Sequence, residues 1–185
     1  MLNHLCKREV EEALIESSLP YTILQPSTFM DNLPVPFLCS QESPVFKAAW
    51  SVDVTFSWLA LRDLAEATSV VLEQRESHFY AQYPLASTKT PVSFADALAI
   101  ISNTIAKDIK VEVLPFDQAV DALLMRLYGK TEGVDPRSKD AAQRMILYYD
   151  GRGMRGNSNV LEWLIRRPTT QFPEWVAAKV EETKN

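Results

Sequence analysis

Ser18-Leu19-Pro20-Tyr21-Thr22-Ile23-Leu24-Gln25-Pro26 is the stretch on which the fold turns. Tyr21 to Gln25 is a short run of aromatic and β-branched residues between two prolines, which predicts a strand buried on both faces. Pro26 has no N–H to give a ladder and should close it. Upstream, residues 2–18 read as a helix. Val10, Ala13, Leu14 and Ser17 recur at helical spacing, and Arg8, Glu9, Glu12 and Glu16 lie on other faces. A helix that leads directly into such a strand is half of a βαβ unit. The strand expected before that helix is not in the sequence.

Downstream, Phe29 to Leu38 is proline-punctuated and has room for a helical turn. Val45–Trp50 and Thr55–Leu59 are predicted as short strands, and Phe79–Ala86 as another. Asp63, with Glu66 three residues on, is predicted to cap a helix bearing Leu64, Ala67, Thr68, Val71 and Leu72. Ser93 with Asp96 repeats the pattern ahead of Phe94, Ala97, Leu98, Ile101 and Ile105. Lys110–Leu114 alternates as a strand does. A helix through Val120, Leu123, Leu124, Leu127 and Tyr128 should stop at Gly129. Residues 138–149 read as helix, and the chain closes with two short helices around Pro168.

Composition narrows the function classes. The chain has 185 residues, 46% of them hydrophobic, with a formal charge of −5. It can hold one compact domain or a large part of one. No apolar run approaches the roughly 20 residues that span a bilayer, and residues 1–9 lack the pattern of a secretory signal. No basic patch extends beyond pairs such as Arg166-Arg167, which argues against direct nucleic-acid binding. Cys6 and Cys39 are too few for a disulfide framework and suggest thiols in a reducing, cytoplasmic setting. No His/Cys spacing suggests a metal. Glycine occurs five times, never before Gly129, whereas a complete dinucleotide-binding domain spends several near its start.

Three stretches carry a family resemblance. The first joins Asn3-His4-x-x-Lys7-x-x-Val10-Glu11-Glu12-x-Leu14 to Ser18 through Pro26 and on to Phe29-Met30-Asp31-Asn32. The second is Arg62-Asp63-Leu64-Ala65-Glu66-Ala67. The third runs from Tyr149-Asp150 through Gly156-Asn157 and Leu161-x-x-Leu164-x-x-Arg167-Pro168-Thr169-Thr170 to Glu174-Trp175-Val176. In that order they resemble the NmrA-like family of atypical short-chain dehydrogenases. The resemblance implies an α/β chain: the C-terminal remnant of a Rossmann-type NAD(P)-binding fold with its smaller α+β substrate lobe, the N-terminal βαβ units missing. Residues 1–32 would be the remnant of the sheet and helix, and 33–185 mainly the substrate-side lobe. Members are oxidoreductases acting on small molecules or dinucleotide sensors, with NADP or NAD as cofactor. About four strand-plus-crossover units, on the order of 120 residues, would precede Met1 in a full-length relative.

The same resemblance supplies candidate site residues. Lys7 matches the lysine of a Tyr-x-x-x-Lys motif, which contacts the nicotinamide ribose and lowers the pKa of the tyrosine. Asn3 stands where the tyrosine should be, and an amide cannot act as general acid. His4 could move a proton in its place; equally, Lys7 and His4 could be plain surface residues. Pro26, Thr28 and Phe29, leaving the carboxyl end of a strand, could contact nicotinamide, and Phe29 and Asn32 could line the substrate cleft. The alternative is a turn that only routes the chain. With the glycine-rich phosphate cradle gone, this chain is expected to have negligible affinity for the cofactor.

Gly151-Arg152-Gly153-Met154-Arg155-Gly156 formally matches G-x-G-x-x-G, but no long helix can follow it before Pro168. It is expected to be a flexible loop. Trp163 and Trp175 are expected to pack the last helices. Glycine is usual in the family where Arg166 stands. The functional expectation is an NAD(P)-binding protein of the oxidoreductase family, truncated and without autonomous redox catalysis. The alternatives are a regulatory lobe that binds a protein or a small ligand, or the product of an incomplete gene. Loss of the missing strands should leave an apolar face beside residues 2–25, open to a protein partner or to self-association.

Overall fold

A computed structural model describes residues 2–184, with side chains from residue 7 onward. Helix α1 (Leu2–Glu16) ends where the Ser17 hydroxyl donates to the Leu14 carbonyl at 2.7 Å. The chain turns through Pro20 and enters β1 (Thr22–Pro26), one residue later than the sequence suggested. β1 pairs in parallel with β6 (Ala81–Leu85), in register from Thr22 opposite Ala81 to Pro26 opposite Leu85. Parallel neighbours need a crossover, and helix α3 (Leu61–Gln74) lies within it. Leu59, Ala67, Val71 and Leu85 bury there with Leu161, Leu164 and Ile165 of helix α7 (Asn159–Ile165).

Two-sided burial of β1 is not observed. Ile23 is buried, while Tyr21, Leu24 and Gln25 are half-buried. The reason is topological: among the described residues β1 pairs with β6 alone, so one edge and part of one face lack cover. On α1, Val10 is 68% exposed and Ala13 is exposed too.

The largest core lies elsewhere. Strand β2 (Thr28–Phe29) pairs in parallel with β5 (Trp58–Leu59), β3 (Val45–Ala48) in parallel with β8 (Lys110–Val113), and β4 (Thr55–Phe56) antiparallel with β7 (Val92–Ser93). The predicted 55–59 strand is thus two strands with different partners. Ser57 breaks it by turning its N–H to the Met154 carbonyl at 2.6 Å. Phe56, Trp58, Phe94, Phe172 and Trp175 form an aromatic centre, with the Trp58 and Phe94 rings edge-on at 4.9 Å. Around it pack α2 (Val35–Ser40), α4 (Phe94–Ile105) and α8 (Phe172–Glu182). A third cluster joins α5 (Phe116–Tyr128) to α6 (Pro136–Arg152) through Val120, Leu124, Ala142 and Ile146.

The Ser93 cap is as predicted, its oxygen accepting from the Asp96 N–H at 3.0 Å, and Gly129 ends α5 at φ 69°. The cap on α3 is not: Ala60 holds that position without a side-chain bond, because Asp63 is engaged in tertiary contacts. Trp163 is 60% exposed, with its ring against Tyr83 at 5.9 Å and His78 at 6.1 Å. The 151–156 segment is a loop only from Gly153 onward, and it is tethered to its neighbours. Gly151 and Arg152 finish α6, Met154 bridges Phe56, and the Ser57 hydroxyl bonds both the Gly156 carbonyl (2.9 Å) and its N–H (2.8 Å).

Candidate functional site

The carboxyl end of the parallel pair β1–β6 is where open α/β sheets hold ligands. Pro26 ends β1 there and is exposed. The next N–H, of Ser27, donates to the Leu85 carbonyl at 3.0 Å and keeps the chain beside β6. The Ser27 hydroxyl oxygen is buried and has no partner among the described residues. Thr28 is half-buried, and its hydroxyl meets only the Met154 sulfur at 3.9 Å. Two adjacent hydroxyls with spare hydrogen-bonding capacity at a strand end are what a carboxamide could use. Sequence reasoning missed Ser27, because only its burial distinguishes it.

Phe29 is half-buried and packs against the cluster around Leu59 and Leu85. A buried Met30 follows in a 3-10 turn (Met30–Asn32). Asn32 is exposed, and its side-chain oxygen accepts from the Arg126 guanidinium at 3.0 Å. Asp31 sits between these residues and pairs with Lys179 of α8 at 3.3 Å. Hydrogen bonding to Glu182, and then to Asp31, holds the Lys179 pKa above the ordinary lysine value against some desolvation. The 26–32 segment therefore leaves β1 as one turn whose side chains diverge. Pro26, Thr28 and Phe29 stay at the strand end, and Asn32 belongs to the α5 side.

Lys7 is exposed on α1 and makes no hydrogen bond or ion pair among the described residues. One turn later Glu11 accepts from the Gln25 amide at 3.4 Å. Lys7 shares that face at i, i+4 spacing. The His4 side chain lies outside the described residues.

The best-partnered polar cluster is one the sequence did not reveal. Asp63 is fully buried. Its carboxylate accepts from the Ser87 hydroxyl (2.7 Å), the Thr170 N–H and hydroxyl (both 2.8 Å) and the Arg167 guanidinium (2.8 Å). Burial alone would raise its pKa; the Ser87, Thr170 and Arg167 hydrogen bonds outweigh that and hold it below the ordinary value. Arg167 also reaches Glu66 at 2.5 Å, and the Thr169 hydroxyl donates to the Ser87 carbonyl at 2.6 Å. With every acceptor position used, the cluster ties α3, the segment after β6 and residues 167–171 together; it offers nothing to a substrate. The signal was Arg62-Asp63 together with Arg167-Pro168-Thr169-Thr170, whose meeting in space no spacing shows. His78 is likewise buried, between the Tyr83 hydroxyl (2.9 Å) and the Gln74 amide oxygen (3.2 Å). No group of three metal-ligating side chains occurs among the described residues, and no helix there is long and apolar enough to cross a membrane.

No protein-family profile matches the chain, and no curated protein matches it. Solved structures do. An NADPH-dependent quinone oxidoreductase from Escherichia coli is similar over 93% of this chain and 59% of its own, at 22% identity and a TM-score of 0.69. Triphenylmethane reductase from Citrobacter sp., in complex with NADP(H), is similar over 91% and 56%, at 22% identity and a TM-score of 0.66. A nucleoside-diphosphate-sugar epimerase from Staphylococcus aureus is similar over 90% and 55%, at 16% identity and a TM-score of 0.61. The chain thus has the Rossmann-like α/β fold of these three proteins, and spans somewhat over half the length of each.

Proposed function

We propose that this chain is the substrate-side, C-terminal part of an NmrA-like atypical short-chain dehydrogenase, cytoplasmic, and without redox catalysis of its own. The observation that supports the reading is a contrast in burial. Val10 and Ala13 are exposed, Leu14, Tyr21 and Leu24 half-buried and only Ile23 of the six buried, with β1 open along one edge, while Leu98, Ile101 and Leu124 are enclosed and Leu123 half-buried. Residues 1–32 then belong with a sheet that continues beyond β1, and 33–185 mainly with the substrate lobe, α3 and β6 returning to the sheet side.

The residues present fit the nicotinamide end of NADP or NAD and not its pyrophosphate. No glycine turn leads from a strand into a helix N-terminus among the described residues, and that turn supplies the oriented N–H groups a diphosphate needs. The buried, unpartnered Ser27 hydroxyl and the Thr28 hydroxyl fit a carboxamide at the end of β1. When bound, the dinucleotide supplies the hydride. Lys7 would hold the ribose, Pro26, Thr28 and Phe29 would position the ring, and Phe29 with Asn32 would border a small-molecule substrate. His4 would be the group to move a proton where Asn3 cannot. Titration of the isolated chain with NADPH, read by cofactor fluorescence, tests the reading. Negligible binding is expected, and a micromolar dissociation constant would overturn it.

A second reading has its own support. The exposed Val10 and Leu19, together with the open edge of β1, suit a regulatory lobe that docks a protein.

A further inference from the structure

We propose that the outer edge of β8 pairs antiparallel with β8 of a second copy of this chain, about a twofold axis through Val111. In a parallel ladder, alternate residues turn both backbone groups to the same neighbour. The Lys110 N–H donates to the Pro44 carbonyl and the Leu114 N–H to the Ala48 carbonyl, each at 2.9 Å. Residues 110, 112 and 114 therefore face β3. Val111 and Val113 turn their N–H and carbonyl groups outward, to an edge that no strand among the described residues covers. Such an edge is a template for another strand.

The sequence of that edge complements itself in one register. With the axis at Val111, the two Val111 residues exchange both backbone bonds. Lys110 then lies opposite Glu112 of the second copy, and Glu112 opposite its Lys110. These are the non-hydrogen-bonded positions, where side chains approach most closely. Opposite charges across such a pair stabilise it and like charges destabilise it. Lys110 and Glu112 already meet within one chain at 2.8 Å, so four charges of alternating sign would close into a ring. On the other face Val111 meets Val111 and Val113 meets Ile109. Val111 is 38% and Val113 54% exposed, and the exposed Phe116 follows at the start of α5. Moving the axis to Val113 would set Pro115, which has no N–H, against Val111, and that register loses one ladder bond on each side of the axis.

Sedimentation equilibrium of the full chain, up to about a hundred micromolar, suits an interface smaller than the standard ~1,600 Å². A monomer–dimer equilibrium is expected. Lys110→Glu puts glutamate opposite glutamate and should weaken it by about tenfold. Lys110→Glu with Glu112→Lys restores every opposite pair and should restore the dimer. Circular dichroism checks that these exposed substitutions leave the fold intact. A chain monomeric throughout the range overturns the proposal. So does a dimer indifferent to Lys110→Glu, which would assign association to another face such as α1 and β1. Cofactor titration is a separate readout, so the failure of either idea leaves the other standing.

Discussion

At the scale of single residues, Arg166 carries backbone strain: it ends α7 in the left-handed region at φ 53°, ψ 33°, which favours glycine. A Cβ there costs on the order of 1 kcal/mol or more, partly offset by glycine's larger entropy loss on folding. Arg166→Gly should therefore raise stability by about 0.5 kcal/mol, seen as a higher urea midpoint at unchanged slope. Asp63 gives a stronger effect of opposite sign. Its folded-state pKa lies below the ordinary value, so its stabilisation is complete above about pH 4, the unfolded-chain value, and fades as pH falls through the folded one. Asp63→Asn presents an amide where donors converge and takes away one of the two carboxylates that hold Arg167, leaving it Glu66 alone. It should cost about 3 kcal/mol at neutral pH and flatten the loss of stability below pH 4. An unchanged acid slope would show that other carboxylates govern it.

At the scale of elements, the most specific fit is the end of α6 against β4. Gly153 has φ 62° and ψ −152°, a conformation open essentially to glycine. A Cβ on it would lie 2.1 Å from the Thr55 carbonyl oxygen. Gly153→Ala should destabilise by about 3 kcal/mol, since backbone rather than a flexible side chain is in the way. Gly151, inside α6 with nothing near its Cβ position, is the control: Gly151→Ala should stabilise by about 0.5–1 kcal/mol. Equal effects at both sites would mean that the approach to Thr55 relaxes freely. This close approach also explains why a G-x-G-x-x-G pattern occurs without a phosphate site. The first glycine is helical, the second passes a backbone oxygen, and the third bonds Ser57.

At the scale of the whole molecule, burial is uneven. Three clusters are well enclosed, yet α1 carries an exposed apolar stripe and β1 one open edge. The proposed function makes the cofactor experiment quantitative. A micromolar complex needs roughly 8 kcal/mol, and a few contacts at the nicotinamide end do not supply it once lost freedom is counted. A dissociation constant weaker than about a millimolar, near 4 kcal/mol, is the expected outcome.

Local sequence determined whatever depends on neighbours along the chain. The apolar run before Pro26 set β1, Ser93 and Asp96 set the start of α4, and Gly129 set the end of α5. Pro26, Thr28 and Phe29 were legible as a strand-end segment for the same reason. Tertiary structure alone decided that Thr55–Leu59 is two strands, because Ser57 answers to Met154 and Gly156, 97 or more positions away along the chain. It alone drew Asp63 from capping a helix to binding Arg167 and Thr170, and left the Ser27 hydroxyl buried without a partner. Periodicity and capping report the first few neighbours in sequence. Burial and long-range hydrogen bonds depend on which distant segments meet, and no local pattern encodes that.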